Sequence, residues 1–319
     1  MSVLYLSEAD VERLLDMRAA IEAVTEAFRR LASAEADNVP RARAQAPGIV
    51  LHTMSAAAGY LGLVGWKCYT TTKQGAQFHL GLYSQESGRL VALVEANRLG
   101  QLRTGATTAV AASWMAAADA HELGLFGTGF QAAGQLAALA AVRKLKQAFV
   151  YGRDAARRTA FARRMSEQLQ LEVIPVDRPE EAAADLPIVV TATTSRAPVF
   201  DGGWLSEGTL VCAVGSNWPN RAEIDATTVR RADNIVCDSV DCCRREAGDF
   251  ADALERGQFD WARAVNLADV VAGRAVGRKT ADCITLFKSV GMAIEDVALG
   301  GVLLERAASA GAGRQLDIA

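Results

Sequence analysis

Hydrophobic positions change their period several times along the chain, and each change marks an element. Over 17–34, Ile21, Val24, Phe28 and Leu31 recur at helical spacing while Glu22, Glu26, Arg29 and Arg30 fall on other faces, which predicts an amphipathic surface helix. Ahead of it, Ser7 stands three residues before Asp10 and in front of Val11, Leu14 and Leu15, the pattern of a capped helix start. Over 40–96 the texture becomes β-rich, with runs at 48–54, 61–69, 78–83 and 90–95 and Ser87-Gly88 as the clearest hairpin signal, so an antiparallel sheet is expected. An Ala-rich helix is predicted over 99–118. Beyond it, strands at 123–126, 148–151, 173–176, 188–191, 210–214, 234–238 and 285–287 are expected, with a helix over 179–184. A final helix over 291–310 can pack back onto the amino-terminal part. This alternation is that of an α/β, doubly wound parallel sheet.

The stretch Glu122-Leu-Gly-Leu-Phe-Gly-Thr-Gly-Phe-Gln-Ala carries the first chemistry. A strand meets a glycine turn and then a helix-favouring run, the order of a dinucleotide-binding fingerprint with Ala132 in its third position. Gly127 can take the turn's backbone angles, Gly129 offers no side chain to block a pyrophosphate, and Ala132 lets the helix approach the strand. Free N–H groups at the helix start would face the phosphates, beside Phe130 and Gln131. Alone, such a turn also serves α/β folds that bind nothing.

About 25 residues beyond Gly127, the next strand ends at Gly152-Arg153-Asp154, the position that chooses between the two nicotinamide dinucleotides. Arg153, with Arg157 and Arg158 close behind, suits a 2′-phosphate, which favours NADP(H). Asp154 leaves NAD(H) open, and a solvated basic helix start is the plain alternative. Thr191 and Thr193 then place small hydroxyl residues at another strand end, where cofactors lie in such sheets.

Composition narrows the classes. Half the residues are hydrophobic, 22% are charged, and the net charge of −3 gives no electrostatic case for nucleic acid or an anionic membrane. The opening MSVLYLSEADVERLL lacks a signal peptide's basic segment and apolar core. The run 106–118 is too short and too dotted with Thr and Ser to span a bilayer, so a cytoplasmic protein is expected. Six cysteines form no CxxC pair and three histidines no HExxH, so neither disulfides nor a metal are expected.

Taken in order, the Lys67 strand, Leu102-Arg103-Thr104-Gly105-Ala106, Gly127 to Ala132, Thr191-Ala192-Thr193, Val214-Gly215-Ser216 and Phe287-Lys288-Ser289-Val290-Gly291 resemble the ornithine cyclodeaminase/mu-crystallin family through nearly the whole chain. The resemblance implies a Rossmann domain, 116–291, inserted into a discontinuous α+β substrate-binding and dimerisation domain, 1–115 plus 292–319, and a homodimer. It implies an NAD(P)-dependent oxidoreductase acting at a carbon–nitrogen bond of a small amino or imino acid. Arg41, Lys67 and Arg103 match the basic residues that hold the substrate carboxylate, with Arg43 a substitute for Arg41. Met54 and Val290 match apolar wall near the substrate, and plain core packing suits both equally. Thr104, Val214 and Ser216 join the cofactor-binding set by the same resemblance. Ordinary ion pairing is the plain alternative for the cations.

Two departures bear on mechanism. His52 stands where the cyclodeaminase branch has a glutamate, and Asn217 where it has an aspartate. Cyclodeamination needs an acid to handle its amines, whereas hydride delivery to a bound imine asks only for a carboxylate clamp and a proton carrier such as Lys67. A ketimine reductase (pyrroline- or piperideine-2-carboxylate) or an alanine-type dehydrogenase is therefore favoured over an ornithine cyclodeaminase. A non-catalytic NADP-dependent small-molecule binder is the rival of another class. Asn217 can position a water or an imine nitrogen without titrating. For His52, a hydrogen-bonded core residue stands ahead of a proton donor near neutrality.

Overall fold

A computed structural model describes residues 2–317. In chain order, β1 (Ser2–Leu6), α1 (Glu8–Leu14) and α2 (Met17–Ala32) lead into β2 (Ala36–Ala46), β3 (Ile49–Ala58), β4 (Leu63–Thr72), β5 (Gly75–Ser84) and β6 (Leu90–Glu95). Then come α3 (Asn97–Met115), β7 (Glu122–Phe126), α4 (Phe130–Val142), β8 (Gln147–Tyr151), α5 (Ala155–Leu169) and β9 (Glu172–Pro175). They are followed by β10 (Ile188–Thr191), β11 (Leu210–Ala213), α6 (Ala226–Arg231), β12 (Asn234–Cys237) and α7 (Val240–Glu246). The chain closes with α8 (Ala251–Glu255), β13 (Ala264–Asn266), α9 (Leu267–Val271), β14 (Thr285–Lys288), α10 (Ala293–Ala310) and β15 (Arg314–Asp317).

Two compact units result, the first from residues up to Ala106 with those from Gly291 on, the second from Thr107–Val290. The first holds a seven-stranded sheet in the order β15-β1-β6-β5-β4-β3-β2. Its meander from β2 to β6 is antiparallel, while β1 runs parallel to β6. Inward positions of the meander, such as Met54, Ala56, Leu80, Leu82 and Val94, are buried, and α10 packs across that face beside α2. Ser7 does cap α1, accepting from the Asp10 N–H while Asp10 accepts from the Ser7 N–H. The pair satisfies orphan donors of the first turn.

The second unit is a Rossmann-type α/β domain. Its eight strands form one parallel sheet in the order β13-β12-β14-β11-β10-β7-β8-β9. Connections move outward on both sides of the β7–β10 pair, which makes a switch point at the carboxyl ends of those strands. Strands β10, β11, β12 and β14 are buried throughout, as strands covered on both faces must be.

Several elements differ from the sequence reading. Strand β2 occupies a stretch rich in Asp, Asn, Pro and Arg, and its position at the sheet edge tolerates that composition. Strands β1 and β15 are short and are held by pairing, β1 with β6 and β15 with β1, Ser2 opposite Asp317. The helix expected over 179–184 is a single 3-10 turn, Pro179–Ala182.

Candidate active site

In the first unit, sheet and helix converge on a buried charge cluster. Lys67 on β4 donates from Nζ to Asp296 Oδ1 at 2.6 Å, and both side chains are shielded from solvent. Arg103 on α3 pairs with Glu295 at 2.8 Å and with Asp296 at 3.4 Å. Arg41 donates to the Gly291 carbonyl at 3.4 Å. Its place follows from a bulge, because Val39 pairs with Ser55 and Ala42 with Thr53, leaving Pro40 and Arg41 together opposite Met54. Met54 is buried directly opposite Lys67 across β3 and β4.

Glu295 and Asp296 occupy the first turn of α10, where the helix dipole favours negative charge. Three cations against two carboxylates leave one net positive charge, which suits a single substrate carboxylate. Burial, with Arg103 nearby, pulls Lys67 down to about 8 although Asp296 opposes the shift. Burial alone would also lower Arg103, but Asp296 and Glu295 hold it above its ordinary value. The cluster therefore contains a permanent cation next to a lysine able to release a proton near neutrality.

Gly291 is part of this construction. Its φ of +82° is left-handed, and a Cβ there would lie 2.6 Å from Arg103 Nη1. No other residue type lets the guanidinium pass so close.

His52 lies on the same sheet face, opposite Arg43 and Tyr69 in register. It stacks on Tyr69 at 4.2 Å between centroids, and its Nε2 is 3.1 Å from Thr71 Oγ1. Burial and the Arg43 and Arg41 charges push it down to about 4. These surroundings favour the hydrogen-bonded core residue, the reading placed ahead for His52, over a proton donor near neutrality. Thr104 is buried in α3 with its hydroxyl donating to the Gly100 carbonyl at 2.6 Å.

In the second unit a cavity of about 930 Å³ opens at the switch point. Gly127, Thr128, Gly129, Arg153, Asp154, Arg157 and Thr193 are among its walls. Gly127 has a φ of +116°, and a Cβ on it would sit 2.5 Å from the Ala192 carbonyl oxygen, so the turn passes close to the next strand end. A Cβ on Gly129 would meet nothing within 4 Å, because that position faces open space at the start of α4. A dinucleotide would fit this arrangement, with the glycines and the first N–H groups of α4 available to hold its pyrophosphate.

Phe130 and Gln131 begin α4 without lining the cavity. Thr191 is buried within β10, while Val214, Ser216 and Asn217 follow β11 in the adjoining loop. Arg158, unlike Arg153 and Arg157, turns inward to the Gly152 carbonyl at 2.7 Å and pairs with Asp177. Val290 belongs to the hydrophobic core of this unit, its N–H donating to Asp238 at 2.8 Å.

Sequence reasoning passed over Glu295, Asp296, Glu223 and the charge of Lys288. Two adjacent acids opening the otherwise apolar run Ala-Ile-Glu-Asp-Val-Ala-Leu were the available signal for the first pair.

Comparison with known proteins places the chain in a family and a fold. The model of the ornithine cyclodeaminase/mu-crystallin family matches residues 2–311. A Delta(1)-pyrroline-2-carboxylate reductase of Bacillus cereus is 30% identical, with 99% of this chain and 100% of the relative covered. The solved structure of Thermococcus litoralis Delta(1)-pyrroline-2-carboxylate reductase in complex with NADH and L-proline is 32% identical with a TM-score of 0.95, covering 98% of this chain and 100% of that one. An archaeal alanine dehydrogenase dimer with bound NAD is 29% identical with a TM-score of 0.94, and both chains are covered in full.

Proposed function

Because this chain belongs to the ornithine cyclodeaminase/mu-crystallin family, we propose that it is an NAD(P)-dependent oxidoreductase acting at the carbon–nitrogen bond of a small α-imino or α-amino acid. Its reaction is read as reduction of a cyclic ketimine, pyrroline- or piperideine-2-carboxylate, or as alanine-type dehydrogenation. The observation that carries this is the buried cluster of Lys67, Arg103 and Arg41 against Asp296 and Glu295, which leaves one net positive charge for a substrate carboxylate.

The chain's own residues divide the work. Arg103 and Arg41 take the substrate carboxylate, and Asp296 holds Lys67 Nζ in place. A proton passes from Nζ to the imine nitrogen, and the nearby guanidinium groups favour the neutral amine left behind. Bound nicotinamide supplies the hydride chemistry at carbon. Met54 contributes an apolar wall beside Lys67. Asn217 positions a water or the imine nitrogen, and His52 serves as a neutral hydrogen-bonded wall.

The second unit is read as the dinucleotide-binding domain and the first as the substrate-binding and dimerisation domain. Arg153 and Arg157 on the cavity wall support NADP(H), while the two solved relatives carry NADH and NAD. Arg153→Ala then lowers the preference for NADPH over NADH. The outward face of β2, β3 and β4 exposes Val39, Ile49, Leu51 and Val64, which supports a homodimer through that sheet. Six free cysteines suit a reducing cytoplasm, and no helix among the described residues is long and apolar enough to cross a membrane.

The test follows NADPH and NADH oxidation with pyrroline-2-carboxylate, piperideine-2-carboxylate and pyruvate plus ammonia, beside L-ornithine with NAD. Turnover of an imine supports the reading and the faster dinucleotide decides the cofactor. Proline and ammonia from ornithine, with the imines untouched, replaces it with ornithine cyclodeamination. Dinucleotide binding with no turnover in any tube favours the non-catalytic binder.

A further inference from the structure

A second buried charge network lies in the Rossmann-type unit. Glu223 is fully buried, and its carboxylate reaches two different strand-end loops. Oε1 accepts from the Thr193 N–H and the Thr193 hydroxyl, both at 2.7 Å, and Oε2 accepts from the Gly215 N–H at 2.6 Å. The first loop follows β10 and the second follows β11. They touch, since a Cβ on Gly215 would fall 2.3 Å from the Thr193 nitrogen.

Glu223 is itself held from behind. Asp249 Oδ1 accepts from the Glu223 N–H at 2.6 Å, and Asp249 Oδ2 lies 2.7 Å from Lys288 Nζ. That lysine, on β14, also donates to the Ser216 carbonyl at 2.8 Å. All three side chains are removed from water. Buried charges of this kind are a poor means of gaining stability compared with apolar packing, so their retention calls for another cause. Here each member ends on the backbone of a loop at the carboxyl edge of the sheet.

In a doubly wound sheet the two halves of a dinucleotide lie on either side of the switch point. The glycine turn after β7 and Arg153 after β8 serve the adenosine half, which leaves the loops after β10 and β11 for the nicotinamide half. We infer that Glu223, braced by Asp249 and Lys288, is a positioning residue that fixes the Thr193 and Gly215-Ser216 loops for the nicotinamide end of the cofactor. The inference rests on the cofactor reading above. Glu223 touches the loop backbone and the Thr193 hydroxyl and takes no part in proton or hydride transfer.

The test compares the wild-type protein with Glu223→Gln, which keeps the side chain's size but puts an amide N–H against a donor. Binding of the whole reduced dinucleotide is measured by its fluorescence, and binding of ADP-ribose, or its 2′-phosphate if NADPH is preferred, by competition. Loss of one charge-assisted contact predicts about tenfold weaker dinucleotide binding with ADP-ribose affinity unchanged. The Thr193 and Gly215 amides exchange hydrogen faster in the variant. Equal weakening of both ligands, or no change in either, overturns the inference. If Glu223→Gln does not fold, Thr193→Val, which deletes only the hydroxyl contact, decides by the same two affinities. A wild-type protein that binds ADP-ribose and dinucleotide equally overturns it as well; one that binds neither refutes the cofactor reading first, and the inference with it.

Discussion

Two buried lysines, each on a strand and each paired with an aspartate, have pKa values shifted in opposite directions. Lys67 in the first unit has Asp296 at 2.6 Å but shares its surroundings with Arg103 and Arg41, and its pKa falls to about 8. Lys288 in the second unit has Asp249 at 2.7 Å and Glu223 nearby, and although burial opposes it, those carboxylates raise its pKa. The ion-pair distances barely differ. What separates the two is the sign of the next neighbour, which lowers the pKa of one lysine and raises that of the other.

Removing each lysine should therefore break different things. Lys67→Met lowers turnover by roughly 10²- to 10⁴-fold, the scale of a lost acid–base group, with dinucleotide affinity retained; steady-state kinetics and cofactor titration check both. Unchanged turnover would sink the assignment. Lys288→Met strands the Asp249 carboxylate and costs about 3–5 kcal/mol of stability, read by denaturant unfolding.

The comparison sharpens with pH. With Lys67 as the acid, imine reduction falls as pH rises through about 8, and oxidation of the amino acid rises through the same range. Lys67→Arg, which does not titrate there, abolishes both slopes. Stability follows the same shift. Lys67's folded pKa lies below its ordinary 10.5, so charging it penalises the fold fully below about 8, and the penalty is relieved as pH climbs towards 10.5. Denaturation series at pH 7 and 10 on wild type and Lys67→Met isolate that contribution.

Smaller effects mark the edge of the clamp. Gly291→Ala places a methyl group against Arg103 in a left-handed conformation, costing about 1–2 kcal/mol and raising KM for the imino acid with cofactor affinity unchanged. His52→Gln, which removes one neutral ring from a stack, costs about 1 kcal/mol or less and leaves the pH profile where it was. A displaced profile would restore His52 to proton transfer.

Much of this was legible in the chain. The Rossmann-type sheet announced itself because its strands are buried on both faces and its first turn needs glycine at Gly127. Lys67, Arg103 and Arg41 could be named by resemblance. Their carboxylate partners could not, because Asp296 meets Lys67 across 229 residues and no local period links a strand to a helix so far away. Strand β2 was hidden for a different reason, since an edge strand interrupted by a bulge need not look apolar or alternate strictly. For His52 the core reading stood first in the sequence, but the burial that chiefly lowers its pKa, with Arg43 opposite it across the sheet, could not be read there.

That same span of 229 residues imposes an order of assembly on the nascent chain. Lys67 and Arg103 leave the ribosome long before Glu295 and Asp296 exist, so the meander cannot bury its cations in finished form during most of synthesis. Every member of the Glu223–Asp249–Lys288 network has been made by residue 288. The second unit is thus free to complete itself first, and a product terminated ahead of α10 carries a half that cannot close. Such a fragment leaves Lys67 and Arg103 without Asp296 and Glu295, and that unfinished unit is open to proteolysis.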